Sequence, residues 1–287
     1  MRFTTPLRYP GGKGKLTDFI KLVFEQNDLL DGDYCEPYAG GAGIAINLLV
    51  HHYAGRIHLN DLNPSVYAFW RSVIDQPDEL CKLVRDARLT MEEWRRQKAI
   101  QSAPTENSAL ELGFSTFYLN RTNRSGIILG GVIGGKNQDG PWKLDARFNK
   151  VDLCRRIEAI AMYQSRIRLY NLDAAQFIKA VIPKFPKKSL VYLDPPYYVK
   201  GQDLYENHYK HDDHVKVARL VQSGIQRPWI VSYDYTPEVM DMYGTCPSLI
   251  YGINYSAANR YEGSEAMFFS SRLVVPDAVN PANLKFA

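Results

Sequence analysis

The chain has no long apolar run: its longest, roughly 43–50, falls far short of the ~20 residues a membrane span needs. The opening stretch MRFTTPLRYPGGKGK holds no apolar segment of signal-peptide type, so a cytoplasmic protein that meets no membrane is expected. Cysteine is scarce. Cys35, Cys81, Cys154 and Cys246 stand 46, 73 and 92 positions apart, which offers no Cys-x-x-Cys pair for zinc or redox chemistry. Four buried thiols and no metal are the expectation. Net charge is also small, at +4, too little by itself to indicate a nucleic-acid partner. The dinucleotide fingerprint Gly-x-Gly-x-x-Gly is missing as well, which disfavours a nicotinamide or flavin cofactor.

What is present suffices for a folded core. Of 287 residues, 45% are hydrophobic, 12% aromatic and 23% charged, which excludes a miniprotein or a disordered chain. Strand and helix patterns alternate. Asp33 to Glu36 reads as a strand, Gly40 to Gly43 as a glycine turn, Ile44 to His51 as a helix, Arg56 to Asn60 as a strand, and Pro64 opens a helix. The pattern resumes with strands at Ile167 to Tyr170, Ser189 to Leu193 and Trp229 to Tyr233, helices at Ala174 to Val181, His211 to Gly224 and Pro237 to Met242, and a closing strand pair at Leu249 to Tyr255 and Ala266 to Ser270. Such alternation predicts a doubly wound α/β sheet with ligands at the carboxyl ends of its strands.

From about Pro77 to Gln164 the alternation stops. Helical patterns cover Glu79 to Ile100, Ser108 to Leu119 and Val151 to Met162, while Asn123 to Asp145 is crowded with glycine and reads as a mobile hairpin or long loop. Between Lys82 and Arg168 there are 16 Lys and Arg against 9 Asp and Glu, so one segment carries the positive charge. A phosphate-facing surface explains that asymmetry, and a solvated helical face is the competing reading. The expected division is 1–76 with 165–275 as the catalytic domain, 77–164 as an insertion, and 276–287 as a flexible tail.

Three motifs carry chemistry. A glycine turn between strand and helix brings backbone N–H groups close to a ligand, and Asp61, 18 positions after Gly43, stands where a carboxylate accepts a ribose diol. Together they suit a nucleoside cofactor without pyrophosphate. In Tyr9-Pro10-Gly11-Gly12-Lys13 an aromatic, a turn and a cation fall together; an ordinary solvated turn is the alternative. At the end of an apolar strand, Asp194-Pro195-Pro196-Tyr197 sets a carboxylate and the Pro195 carbonyl as two rigid acceptors, suited to an amino group, with Tyr197 and Tyr198 as stacking surfaces for a base. Pro195 to Tyr198 also fits the proline-rich ligands of WW domains, but those must be exposed and this segment follows a strand that should be buried.

Taken in order, Leu7 to Lys13, Glu36-Pro37-Tyr38-Ala39-Gly40-Gly41-Ala42-Gly43, Asp61 and Asp194 to Tyr197 resemble the Dam-type (class alpha) DNA adenine N6-methyltransferases, with echoes at Leu204-Tyr205 and Ile230 to Asp234. The resemblance implies a Rossmann-like methyltransferase sheet with helices on both faces, and a mainly helical target-recognition insertion bearing a β-hairpin. It implies S-adenosyl-L-methionine as cofactor, held by Tyr9, Lys13, Glu36, Pro37, Tyr38, Gly40, Gly43, Asp61, Asp173 and Asp194. The catalytic group becomes Asp194, Pro195, Pro196 and Tyr197, and double-stranded DNA the partner, met by Arg121, Asn123, Arg124 and Lys136. It leaves room for a companion restriction endonuclease. Cytosine N4 or RNA adenine shares the same amine chemistry, and a catalytically idle, cofactor-sensing DNA-binding module is the rival from another class.

Overall fold

The strands expected from the alternating pattern pair into one sheet. The computed structural model describes residues 5–8, 12–199, 209–255 and 261–284. In chain order the strands are β1 (Gly32–Glu36), β2 (Ala54–Asn60), β3 (Ile167–Tyr170), β4 (Ser189–Leu193), β5 (Trp229–Asp234), β6 (Ser248–Tyr255) and β7 (Tyr261–Phe269). Their order across the sheet is β3-β2-β1-β4-β5-β7-β6. β1 to β5 run parallel, and β7 is antiparallel to both β5 and β6. This is a Rossmann-like sheet with an antiparallel strand pair at one edge. The final pair extends beyond the sequence reading, since β7 begins at Tyr261 rather than at Ala266.

Side chains alternate between the two faces of each strand, and both faces are covered, so the central strands are buried throughout. In β4, Leu190 and Tyr192 join one core with Tyr34, Ile57, Ile230 and Phe269, whereas Val191 and Leu193 join the other with Cys35, Val231 and Phe268. The second core is closed by α8 (Ala174–Ala180), α9 (His211–Gly224) and α10 (Pro237–Met242) through Phe177, Val217, Val221 and Val239. The first is closed by α1 (Thr17–Gln26), α2 (Gly43–Val50) and α3 (Pro64–Asp75). α1 had no counterpart in the sequence reading; it buries Phe19, Ile20, Val23 and Phe24 and is entered through a 3-10 turn, Lys13–Leu16.

The insertion does not build a separate core. Its helices α4 (Pro77–Asp86), α5 (Met91–Ser102), α6 (Ala109–Thr122) and α7 (Lys150–Ala161) share the first apolar cluster. α6 lies flat on α3, with the Phe69 and Phe117 rings 5.9 Å apart and 6° from parallel. Gly113 permits that approach, since a Cβ there would meet Ser72 Oγ at 2.4 Å and the Ala68 carbonyl at 2.6 Å.

Three expectations are corrected. Glu79 to Ile100 is two helices, because Thr90 Oγ1 accepts the Glu93 N–H as a new N-cap and Lys150 Nζ caps the Arg85 and Ala87 carbonyls. The hairpin shrinks to a single antiparallel bridge between Asn123 and Val132, beyond which the chain runs through turns. The tail folds back as far as residue 284: Pro276 and Pro281 are buried, Ala278, Ala282 and Leu284 pack on the first core, and Asn280 Nδ2 donates to the Gly252 carbonyl at 3.0 Å. Its scattered apolar residues gave no periodicity because they fill gaps along an irregular path. Cys35, Cys81 and Cys154 are buried free thiols, while Cys246 is only half-buried. No helix among the described residues is long and apolar enough to cross a membrane.

Candidate active site

Strand order reverses between β1 and β4, so the loops leaving these two neighbours diverge and open a crevice. β1 delivers Glu36 and the glycine turn; β4 delivers Asp194. The turn is shaped by left-handed backbone at Gly40 (φ 46°) and Ala42 (φ 47°), and α2 starts at Gly43. Gly40 is clamped from two sides: its N–H donates to Asp61 Oδ2 at 2.8 Å, and its carbonyl accepts from Trp70 Nε1 at 2.9 Å. Asp61 Oδ1 accepts the Asn63 N–H at 2.9 Å, and burial pushes the Asp61 carboxyl up to about 6. Glu36 Oε1 accepts the Ala45 N–H and the Tyr34 hydroxyl, both at 3.1 Å. Burial drives its carboxyl up to about 8 against those two hydrogen bonds.

A residue with no assigned role brackets this rim. Asn60, at the end of β2, donates to the Pro37 carbonyl at 2.9 Å and the Leu172 carbonyl at 3.0 Å, and accepts the Leu172 N–H at 3.0 Å. The carboxyl ends of β1, β2 and β3 are thereby tied together. Just beyond, Asp173 is the exposed N-cap of α8, its Oδ1 accepting the Ala175 and Gln176 N–H groups. Tyr38 is half-buried and its hydroxyl shares a 3.1 Å hydrogen bond with Tyr209.

Asp194 stands across from the turn, close enough for its charge to raise the Glu36 carboxyl further. Its Oδ1 accepts from Ser232 Oγ at 2.9 Å and lies 3.4 Å from Lys13 Nζ. Among the described residues Oδ2 accepts no hydrogen bond, and the side chain is 24% exposed. Burial raises this carboxyl to about 6, opposed by Lys13 and assisted by Glu265, so it is mostly ionised at neutral pH.

Lys13 is fully enclosed and donates to Glu265 Oε1 at 2.7 Å and to the Tyr197 hydroxyl at 3.1 Å. Burial alone would lower its pKa, but Asp194 and Glu265 outweigh that and hold it well above the ordinary value. Glu265, on β7, also accepts from the hydroxyls of Tyr197 (3.1 Å) and Tyr251 (2.7 Å). Tyr197 is therefore buried, with Lys13 Nζ 4.9 Å from its ring centroid. Beyond it, Asp234 at the end of β5 accepts the N–H groups of Tyr198 (2.8 Å) and Val199 (3.0 Å), which fixes the exit of the segment.

The structure thus gathers Lys13, Glu36, Pro37, Tyr38, Gly40, Gly43, Asp61, Asp173 and Asp194 to Tyr197 along the strand ends around one crevice. Tyr9 and the Leu204-Tyr205 pair lie outside the described residues. Glu265, Ser232 and Asn60 were not assigned to the site from sequence. An acid immediately before the apolar run Ala266 to Phe269 was the one signal available for Glu265.

The residues expected to meet nucleic acid divide. Arg124 and Lys136 are exposed on the loop after α6. Asn123 does not face outward: it is buried, its Oδ1 accepts Trp94 Nε1 at 2.7 Å, and its Nδ2 donates to the Ile127 (2.9 Å) and Ile128 (2.8 Å) carbonyls. Its placement makes it the internal clamp of the loop, with both amide hydrogens used. Arg121 is buried as well, in the last turn of α6. Among the described residues no group of three or more His, Cys, Asp or Glu side chains is placed to hold a metal ion.

Residues 9–258 match the family model described as D12 class N6 adenine-specific DNA methyltransferase. No curated protein matches the chain. Among solved structures, the chain is similar to the rRNA methyltransferase AviRa of Streptomyces viridochromogenes, at 12% identity and a TM-score of 0.38, covering 89% of this chain and 82% of that one. It is also similar to an S-adenosylmethionine-dependent methyltransferase of Neisseria gonorrhoeae, at 11% identity and a TM-score of 0.38, covering 88% and 66% respectively. At that overlap neither bears on the substrate of this chain.

Proposed function

Because the chain belongs to the D12 class N6 adenine-specific DNA methyltransferase family, we propose that it methylates N6 of an adenine swung out of duplex DNA. It is a methyltransferase, and its cofactor is S-adenosylmethionine. The crevice suits that molecule: the carboxyls of Glu36, Asp61 and Asp194 are all raised by burial, so a cationic ligand bearing a diol would relieve them. When bound, it supplies an electrophilic methyl on a sulfonium centre. Asp61 and Asp173 are assigned to its ribose and adenine, since each carboxylate keeps lone pairs beyond its backbone bonds. Tyr9, Lys13, Glu36, Pro37, Tyr38, Gly40 and Gly43 complete the proposed lining.

One observation carries the reading. Asp194 is held at Oδ1 by Ser232 and Lys13 and open at Oδ2, at the tip of a central strand beside the glycine turn. An aromatic amine is a weak nucleophile because its lone pair is delocalised into the ring. Acceptance of its two hydrogens by Asp194 Oδ2 and the Pro195 carbonyl draws the nitrogen toward tetrahedral geometry and frees that pair. Pro195 and Pro196 keep the two acceptors stiff. The nitrogen sheds one proton after methylation. Tyr197 is buried under Lys13, so base stacking there requires its ring to turn, or it falls to the half-buried Tyr198. Most of the acceleration then comes from positioning.

The test is nucleoside mass analysis after incubation with duplex DNA and labelled cofactor. N6-methyladenine in DNA is the expected product. N4-methylcytosine, or label in RNA alone, overturns the assignment. Methylation-sensitive long-read sequencing of DNA from expressing cells would then identify the target site, and a matching nuclease specificity would identify any companion endonuclease.

A further inference from the structure

Arg121 is 7% exposed, and among the described residues its guanidinium donates to no protein acceptor; Nε is sealed from solvent without a partner. A buried guanidinium stays charged and is costly to leave unmatched, so a purely structural arginine gathers carboxylates or carbonyls. Around Arg121 stand other cations. After burial itself, the charges of Arg156 and Arg8, with Arg147 further down, pull its pKa to about 9. Asp152 is the one carboxylate acting on it, and Asp152 is already bound by Arg155 and Arg156.

The backbone around this cluster is built rather than incidental. Asn120 accepts the Arg8 N–H at 2.7 Å and donates to the Arg8 carbonyl at 2.6 Å and the Gly126 carbonyl at 2.8 Å. At Gly126 (φ 78°) any Cβ would lie 2.2 Å from the Arg8 carbonyl oxygen, so only glycine lets the two segments touch. The side chains of Arg8 and the exposed Arg147 make no hydrogen bond or ion pair among the described residues. Arg124 follows three residues after Arg121 and is exposed on the same loop as Lys136.

We propose that Arg8, Arg121, Arg147 and Arg156 form a pocket for one phosphodiester group of the DNA backbone. The planar forks match two non-bridging oxygens, and a monoanion supplies the charge the cluster lacks. This deepens the reading that duplex DNA is the substrate and rests on it. It names a grip apart from the exposed Arg124 and Lys136, and one that joins the N-terminal segment to the insertion.

The test uses the full chain, a fluorescent duplex and anisotropy between about 50 and 200 mM salt. Arg147→Gln and Arg121→Gln should each lower the salt slope by about one. With each backbone phosphate replaced singly by methylphosphonate, the wild type should lose about tenfold at one position, and both variants should lose nothing further there. Cofactor binding by calorimetry, unchanged in both, shows that the fold survives. Unchanged slopes with full adenine methylation overturn the pocket and leave the function standing. Slopes that fall without any adenine methylation overturn the function and leave the pocket standing. Protection by inorganic phosphate with no position-specific methylphosphonate effect assigns the pocket to a free anion and overturns the proposal, and a duplex that does not bind overturns both.

Discussion

The crevice between β1 and β4 and the basic insertion treat charge in opposite ways. In the crevice every cation has its anion: Lys13 is shared by Asp194 and Glu265, and two tyrosine hydroxyls complete Glu265. In the insertion Arg121 is as buried as Lys13 and finds mainly like charge. A network closed on itself holds its own geometry before any ligand arrives, which is what chemistry at a fixed point requires. A charge cluster left open depends on something outside the chain to close it.

Breaking the closed network should cost the most. Lys13→Met leaves Asp194 and Glu265 facing each other in the interior, and we expect a loss of about 3 to 5 kcal/mol, read as a lowered urea midpoint. Unchanged stability would show that the two acids are protonated or hydrated. Asp194→Ala removes an acceptor while Lys13 keeps Glu265, so the fold should persist and turnover should fall about 10² to 10³-fold in single-turnover assays. Wild-type turnover would strip Asp194 of its role. Gly113→Ala tests whether the insertion shares the sheet's core: overpacking against Ser72 and Ala68 should destabilise by about 1 to 3 kcal/mol as one cooperative transition. Two separate transitions would mean that insertion and sheet unfold independently. Smallest is Arg124→Gln, expected to leave the melting temperature within about 2 °C while weakening DNA binding.

Acidity sharpens the same contrast. Because the Asp194 carboxyl is raised from 3.8 to about 6, its contribution to stability is full below its unfolded value and lost as pH rises through the folded one. Activity should run the other way, appearing as pH rises through about 6 and the carboxylate ionises. Melting temperatures of the wild type and Asp194→Asn should therefore converge toward acid pH, whereas the wild-type rate climbs toward neutrality. A rate independent of pH between 5 and 7.5 would contradict the ~6 assignment.

Much of the sheet could be read from sequence because short strand-forming runs, glycine punctuation and Pro64 at a helix start are local signals. Asp61 and Asp194 were legible for the same reason, each following directly on the end of a strand. What escaped depends on contacts far apart in the chain. The break between α4 and α5 contains neither glycine nor proline; Thr90 caps the start of α5 locally, but the end of α4 is held by Lys150, over 60 positions away. Asn123 was expected to meet DNA because the resemblance implied it, and only Trp94 reveals that it points inward. Glu265 lies 252 positions from the lysine it neutralises, and nothing local marks that pairing.

That separation bears on how the protein is made. Lys13 leaves the ribosome 252 residues before Glu265, its counter-ion on β7. A nascent chain holding only the first five strands would have the crevice lacking one negative charge, with the lysine left to Asp194 alone. The last hairpin must therefore pair beside β5 before the ammonium group is balanced, so the charge network closes only with the final strands of the sheet.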